Sequence, residues 1–341
     1  MAVHFVRYTL TPIATNEGRF VDFAPYVPAI NDDGVVAFQA TLADGHSGVF
    51  TSDGQRIADV AVTTSGGCPA RLFRSHPDIN RAGTVTVYAT LKNGDEAALL
   101  VHPDGRVAAT GTPAPLGGIG PLGPTMNERG EVALRATTLD GQACIGVWGG
   151  GPFRCVAAAG EHFGEFEGLP VINRQGQVAF RAALPGGRQG VFVHRDGACT
   201  AVATTGDELE EIARFPIIDD HGGVAFVARR RDGAWGIFTA APGRPAGVVE
   251  AGAGFESLRG VLVNRSGPVV FYGTPRGGQL GIYTGAGPLR HRALGLGDAL
   301  FGGLVADFAL NPVSVNEAGQ WVVRVALDDG RQFILRADPV A

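Results

Sequence analysis

The chain predicts an all-β fold, a seven-bladed β-propeller with four antiparallel strands per blade, and three observations carry that expectation. A stretch typified by Ile172-Asn-Arg-Gln-Gly-Gln-Val-Ala-Phe180 recurs seven times, beginning at Asn31, Asn80, Asn127, Asn173, Asp219, Asn264 and Asn316. These intervals of about 45 to 52 residues are the period of propeller blades. A glycine stands fourteen residues after each of the seven, at Gly45, Gly94, Gly141, Gly187, Gly233, Gly278 and Gly330. The N-terminus carries one strand too many and the C-terminus one too few.

Each element has a local reason. Asn followed by Gly three residues later matches a type I turn, with Asn at its first position and Gly at its last. The next segment alternates large and small, as in Val178-Ala179-Phe180 and Val224-Ala225-Phe226. That alternation suits twisted sheets nested face to face. The later glycine, preceded by Asp in several copies, closes a hairpin. A third strand such as Gly190-Val-Phe-Val follows, then a second turn such as Asp53-Gly54 or Asp104-Gly105, then a fourth strand. Before the Asn lies the innermost strand, with proline three residues upstream at Pro28, Pro77, Pro124, Pro170 and Pro216. Proline has no N–H for a ladder, so it belongs at an edge, here the edge facing a central channel. The strand Phe5–Pro12 is expected to complete blade seven and close the ring, removing its exposed edges. One propeller domain is expected to span 1–341.

Composition excludes several classes of partner. The chain has 341 residues, 28 basic and 33 acidic, for a net charge of −5. No basic stripe appears, so nucleic acid is not expected. No apolar run approaches the roughly 20 residues of a membrane span. The N-terminus lacks both the basic and the apolar segment of a secretory leader, so a cytoplasmic location is expected. Cys68, Cys144, Cys155 and Cys199 lack zinc-binding spacing and read as buried free thiols.

The Asn-x-x-Gly-x-Val-Ala-Phe repeat, followed by Gly-Val-Phe and Gly-Asp, resembles a bacterial tandem-repeat propeller family of largely undefined function. The resemblance covers the whole chain and implies the fold. It brings no catalytic residues, and no motif for a dinucleotide, a nucleotide phosphate or a nucleophilic serine is present.

Function is therefore sought where copies depart from their own repeat. Five residues before the repeat Asn stand Tyr26, Ser75, Leu122, Gly168, Arg214, Arg259 and Asn311, a mostly polar ring at the channel mouth. Such a ring is a plausible small-molecule pocket. Blade two adds Arg74, His76 and Asp78. His76 titrates near neutrality and Asp78, two residues on, shares its strand face, so the two form a candidate acid–base pair. Arg74 would hold an anion. Arg181 and its counterparts eight residues after the repeat Asn either line the cavity wall or lie across the blade interface. Glu161, His162 and Asp207, on loops from outer to inner strands, are a weaker candidate site for a divalent cation. Asp207-Glu-Leu-Glu210 also reads as the capped start of a short helix.

The leading functional expectation is a small-molecule enzyme using acid–base chemistry (elimination, isomerisation, cyclisation or hydrolysis) at the channel mouth, without an organic cofactor. His76 and Asp78 would be catalytic, with Tyr26, Arg74, Arg181, Arg214, Arg259 and Asn311 binding substrate. The alternative is a protein-binding scaffold whose contacts are loop phenylalanines Phe163, Phe166, Phe255 and Phe301. The repeat Asn residues are assigned to turn chemistry alone.

Overall fold

A computed structural model describes residues 7–26, 28–63, 69–110, 116–240, 247–251, 254–264 and 267–340. Cys68 lies outside them. The chain forms seven antiparallel sheets arranged as propeller blades. Blade 4 is the most regular: inner strand Phe166–Ile172, then Val178–Ala183, Gln189–Arg195 and outer strand Ala198–Thr204. The one short helical turn described, 3₁₀ in type, is Pro185–Gly187, and no helix is long and apolar enough to cross a membrane. The helix expected after Asp207 is instead an inner strand, Leu209–Ile212, because Leu209 and Ile212 bury against the blade core.

The ring closes as the terminal strands require. Arg7–Thr15 pairs antiparallel with Gln332–Val340, placing Leu10 opposite Ala337 and Pro12 opposite Leu335. It is the outermost strand of blade 7, extending three residues further than the expected Phe5–Pro12 because a bulge between Pro12 and Ala14 lets the pairing continue. Ile13 and Ala14 enter the core that joins blade 1 to blade 7.

The alternating pattern does what nesting demands. Val178, Phe180 and Phe192 of blade 4 pack onto Ala133, Ile145 and Val147 of blade 3. Blade 4 thus presents large side chains to the preceding blade and small ones, such as Ala179, to the following one. Phe180 stacks on Phe192 with centroids 5.7 Å apart, and Phe163 and Phe166 meet the same pair edge-on. Phe163 and Phe166 are therefore core residues of their blade, as is Phe255 against Phe271 and Tyr283. Of the four expected scaffold contacts, only Phe301 is exposed.

The inner strands are where the structure departs from simple regularity. In blades 1, 2, 3 and 5 the strand breaks in two, as in Arg71–Leu72 and Asp78–Ile79, and the proline sits just before the second piece. Proline thus interrupts the innermost strand as well as tolerating its edge. In blade 4 the strand stays continuous but shifts register between Glu167 and Val171. The interruption leaves backbone groups without ladder partners, which neighbouring blades must supply.

Candidate functional site

The channel has two dissimilar ends. At one end stand the repeat turns. The fully described turns close as expected: the Asn31 side-chain oxygen accepts the N–H groups of Asp33 and Val35, and Gly34 takes a positive φ of 78°. The amide's other end has a second task. Asn31 Nδ2 donates to the Asn80 carbonyl at 3.0 Å, Asn127 to that of Asn173 at 3.1 Å, Asn173 to that of Asp219 at 3.0 Å, and Asn316 to that of Asn31 at 3.0 Å. With Asn264 donating to the Asn316 carbonyl at 3.4 Å, the asparagines staple blades 1 to 2, 3 to 4, 4 to 5, 6 to 7 and 7 to 1. Turn chemistry explains half of each side chain, and interblade bonding explains the other half.

The residues after the repeat positions are all charged, reading in sequence Asp32, Arg81, Glu128, Arg174, Asp220, Arg265 and Glu317. Arg265 lies outside the described residues. Acid and base alternate, and an odd number of blades forces one like-charged neighbour pair, Glu317 and Asp32, at the closing seam. The carboxylates accept backbone N–H groups from the preceding blade: Glu128 from Arg81, Asp220 from Arg174 and Asp32 from Glu317. Arg174 also reaches across the axis to Asp32 at 3.4 Å while holding Asp220 at 3.3 Å. Behind it lies a cavity of about 160 Å³.

Midway along the channel, polar side chains two residues before the asparagines latch neighbouring inner strands. Thr125 donates to the Pro170 carbonyl and accepts from the Ile172 N–H, and Ser314 donates to the Pro28 carbonyl. Asp78 occupies the same register and accepts the Met126 N–H at 2.6 Å and that of Ile79 at 2.7 Å. Burial pushes its carboxyl up to about 8, with the backbone donors opposing the shift. His76 is only 1% exposed, turned into the seam between blades 2 and 3. Among the described residues neither ring nitrogen has a hydrogen-bond partner, and burial lowers its pKa to about 3. A Cβ on Gly123 of blade 3 would collide with the His76 carbonyl, and Gly123 takes a φ of 106°. The two blades approach that closely.

The expected acid–base pair is thus not joined by a hydrogen bond. Its members serve the seam between blades, and Asp78 borders the cavity at the turn end, away from the expected substrate-binding arginines.

At the other mouth the seven positions divide by role. Asn311 is buried and donates to the carbonyls of Tyr26 and Pro28, tying blade 7 to blade 1. Gly168 has φ of 70°, and any side chain there would strike the Arg214 carbonyl. Arg181 is buried between blades 4 and 5, donating to the Ile212 carbonyl at 3.0 Å and pairing with Glu167. Desolvation and then the charge of Arg214 both lower its pKa. Other residues eight after the asparagine act alike, Arg135 on the Gly168 carbonyl and the Tyr272 hydroxyl on both polar groups of the Leu310 backbone. They satisfy the interrupted inner strands, so this set lies across the blade interface.

What remains open at this mouth is Tyr26, 50% exposed, with Arg74, Arg214 and Arg259. Arg74 is bound to Asp22 at 2.9 Å. Arg259 lies over the Tyr272 ring at 5.6 Å. Among the described residues neither Arg259 nor Arg214 has a carboxylate partner, while Arg181, Arg229 and Arg324 around them are paired.

The expected cation ligands do not converge. Glu161, His162 and Asp207 are exposed on turns of successive blades. Among the described residues no group of three or more His, Cys, Asp or Glu side chains is arranged to hold a metal. The thiols also differ from expectation: Cys144 is buried, but Cys155 is exposed at the edge of blade 3.

Comparison with known proteins agrees with this architecture. Residues 153–322 match a family of unknown function, DUF7453. A sequence comparison with curated proteins found no match. Among solved structures, the β-propeller domain of the Trilobed protease from Pyrococcus furiosus is similar at 8% identity, with a TM-score of 0.58 over 99% of this chain and 98% of that one. An oligogalacturonate lyase in complex with manganese gives 12% identity and a TM-score of 0.53, over 98% and 99%. A puromycin-hydrolysing peptidase from Mycobacterium tuberculosis gives 14% and 0.53, over 99% of this chain and 55% of that chain. At these identities the likeness shows the fold alone.

Proposed function

We propose that this propeller binds a small carboxylate- or phosphate-bearing molecule at the mouth opposite the repeat turns, and performs acid–base chemistry on it there. One observation carries the reading. Arg214 and Arg259 stand on consecutive blades, exposed and, among the described residues, without a carboxylate, at the mouth where Arg74, Arg181 and Arg324 are committed to ion pairs. A guanidinium fork with free donors is the side chain best matched to a carboxylate or phosphate. Tyr26 on blade 1 adds a phenol to the same rim.

The far end of the channel is obstructed by Arg174, so this reading has ligand enter and leave by one mouth. His76 is given no part in the chemistry, because a base sealed from ligand and solvent exchanges no proton with a substrate at the rim. This reading assigns proton transfer instead to exposed carboxylates near the starts of the inner strands, Glu165 and Glu256.

Isothermal titration with inorganic pyrophosphate and with citrate tests the binding step. The expected result is saturable binding that weakens at least tenfold in the Arg214→Gln/Arg259→Gln double variant. No binding of either anion, or equal binding by the double variant, overturns the reading.

A further inference from the structure

A second opening lies away from the channel, between blades 1 and 2. It is a slot of about 420 Å³ on the turn side of the molecule, within the size range of small-molecule pockets. Its walls are the facing surfaces of two sheets. One wall presents Val35, Thr51, Ala58 and Val60, and the other Val101 and Val107.

The slot exists because this seam is underfilled. Facing sheets sit about 10 Å apart and need large side chains to close the gap. Blade 1 pairs Thr51 with Ala58 across its outer strands, where blade 3 pairs Val147 with Arg154. Blade 2 places Val101 opposite Val85, where blade 3 places Trp148 opposite Val132. Val107 is left 57% exposed at the opening. A gap between two flat apolar walls admits a planar ring, whose faces need about 3.5–4 Å on each side for contact.

The rim sets the polarity of what enters. Asp59 is held by Arg19 at 2.7 Å, and Asp33 by Arg81 Nε at 3.2 Å. The terminal nitrogens of Arg81 make no hydrogen bond among the described residues. His102 Nδ1 shares a hydrogen bond with the Thr84 hydroxyl at 3.2 Å, leaving Nε2 uncommitted. The unspent capacity at the rim is therefore mainly donor, carried by a cation.

We infer that the slot between blades 1 and 2 is a second small-molecule site, taking a flat apolar body that carries an anionic group. Arg81 binds the anion and the valine walls hold the ring. This site is independent of the mouth containing Arg214 and Arg259.

The aryl sulfonate 8-anilinonaphthalene-1-sulfonate serves as probe, its fluorescence excited directly and titrated against the intact protein. One saturable site per chain is expected. Val101→Trp, which borrows the residue of blade 3, should abolish binding, and Arg81→Gln should weaken it about threefold to tenfold. Ala58→Met, on the exposed wall, provides a second filling variant if Val101→Trp fails to fold. The Arg214→Gln/Arg259→Gln double variant should bind the probe as the native chain does. Absence of a saturable site overturns the inference. So does undiminished binding by a folded filling variant, or loss of binding on changing Arg214 and Arg259 alone.

Discussion

The two ends of the channel are made by the same sevenfold repeat, yet their side chains are committed to different degrees. At the turn end the asparagines bond to the next blade and Arg174 bridges two carboxylates across the axis. At the opposite mouth the side chains of Tyr26, Arg214 and Arg259 are exposed and, among the described residues, make no hydrogen bond or ion pair, Arg259 resting on the Tyr272 ring. Residues that obey the repeat are spent on closing the propeller, and the proposed function rests on Arg214 and Arg259, which depart from it. The comparison also separates two kinds of departure. Asp78 and Asn311 break the repeat and still serve the seams, so irregularity alone does not identify a site.

The sharpest way to break this contrast is to open the ring. Removing residues 7–15 withdraws Tyr8, Leu10 and Ile13 from the core, at about 1.5–3 kcal/mol each, and exposes the edge of Gln332–Val340. The expected loss is on the order of 6 kcal/mol, visible as failure to give a cooperative urea transition. Next comes Asn173→Ala. It removes donation to the Asp219 carbonyl and to Gln177, and the acceptor for the Gln175 and Gln177 N–H groups. Roughly 3 kcal/mol should be lost by urea melting, since buried groups are left unpaired.

The seam between blades 2 and 3 sharpens the contrast through pH. The Asp78 carboxyl is raised from 3.8 to about 8, so the folded state holds its proton more tightly than the unfolded chain. Its stabilising contribution is fully present below pH 3.8 and is lost as pH rises toward 8. Relative to Asp78→Asn, the native chain should therefore grow steadily less stable across that interval. His76 acts in the opposite sense. Its pKa falls from 6.5 to about 3, so its contribution is present above pH 6.5 and lost as pH drops toward 3. His76→Leu should remove that acid arm. Urea midpoints measured at pH 4, 6 and 8 for the three proteins check both signs; parallel curves would refute them.

Much of this was legible in the sequence, and the reasons differ by element. Blade number and ring closure follow from turn and strand periodicity, which are local. The turn role of the asparagines was readable for the same reason, since Gly34 and its counterparts require positive φ. Their second hydrogen bond was not read, although an amide used so consistently where turn chemistry also accepts other residues was a signal. The alternation from Asp32 through Arg81, Glu128 and Arg174 is likewise present in the sequence, but its meaning appears only when blades stand side by side. Phe163 and Phe255 read as loop residues because their ring partners, Phe180 and Phe271, lie on the next strand of the blade and not beside them in the chain. His76 and Asp78 do not share a strand: Asp78 begins the short piece Asp78–Ile79, and His76 lies in the break before it. Their contacts come from blade 3, about 48 residues away, and no reading of local spacing supplies those.

The smallest expected effect bears on the central claim most directly. If Arg214 and Arg259 are uncommitted to the fold, the Arg214→Gln/Arg259→Gln variant should match the native urea stability to within about 0.5 kcal/mol. Measured on the same samples, binding of pyrophosphate or citrate should fall at least tenfold. Stability lowered by several kcal/mol would show that these arginines hold the propeller together, and would contradict the division between its two ends.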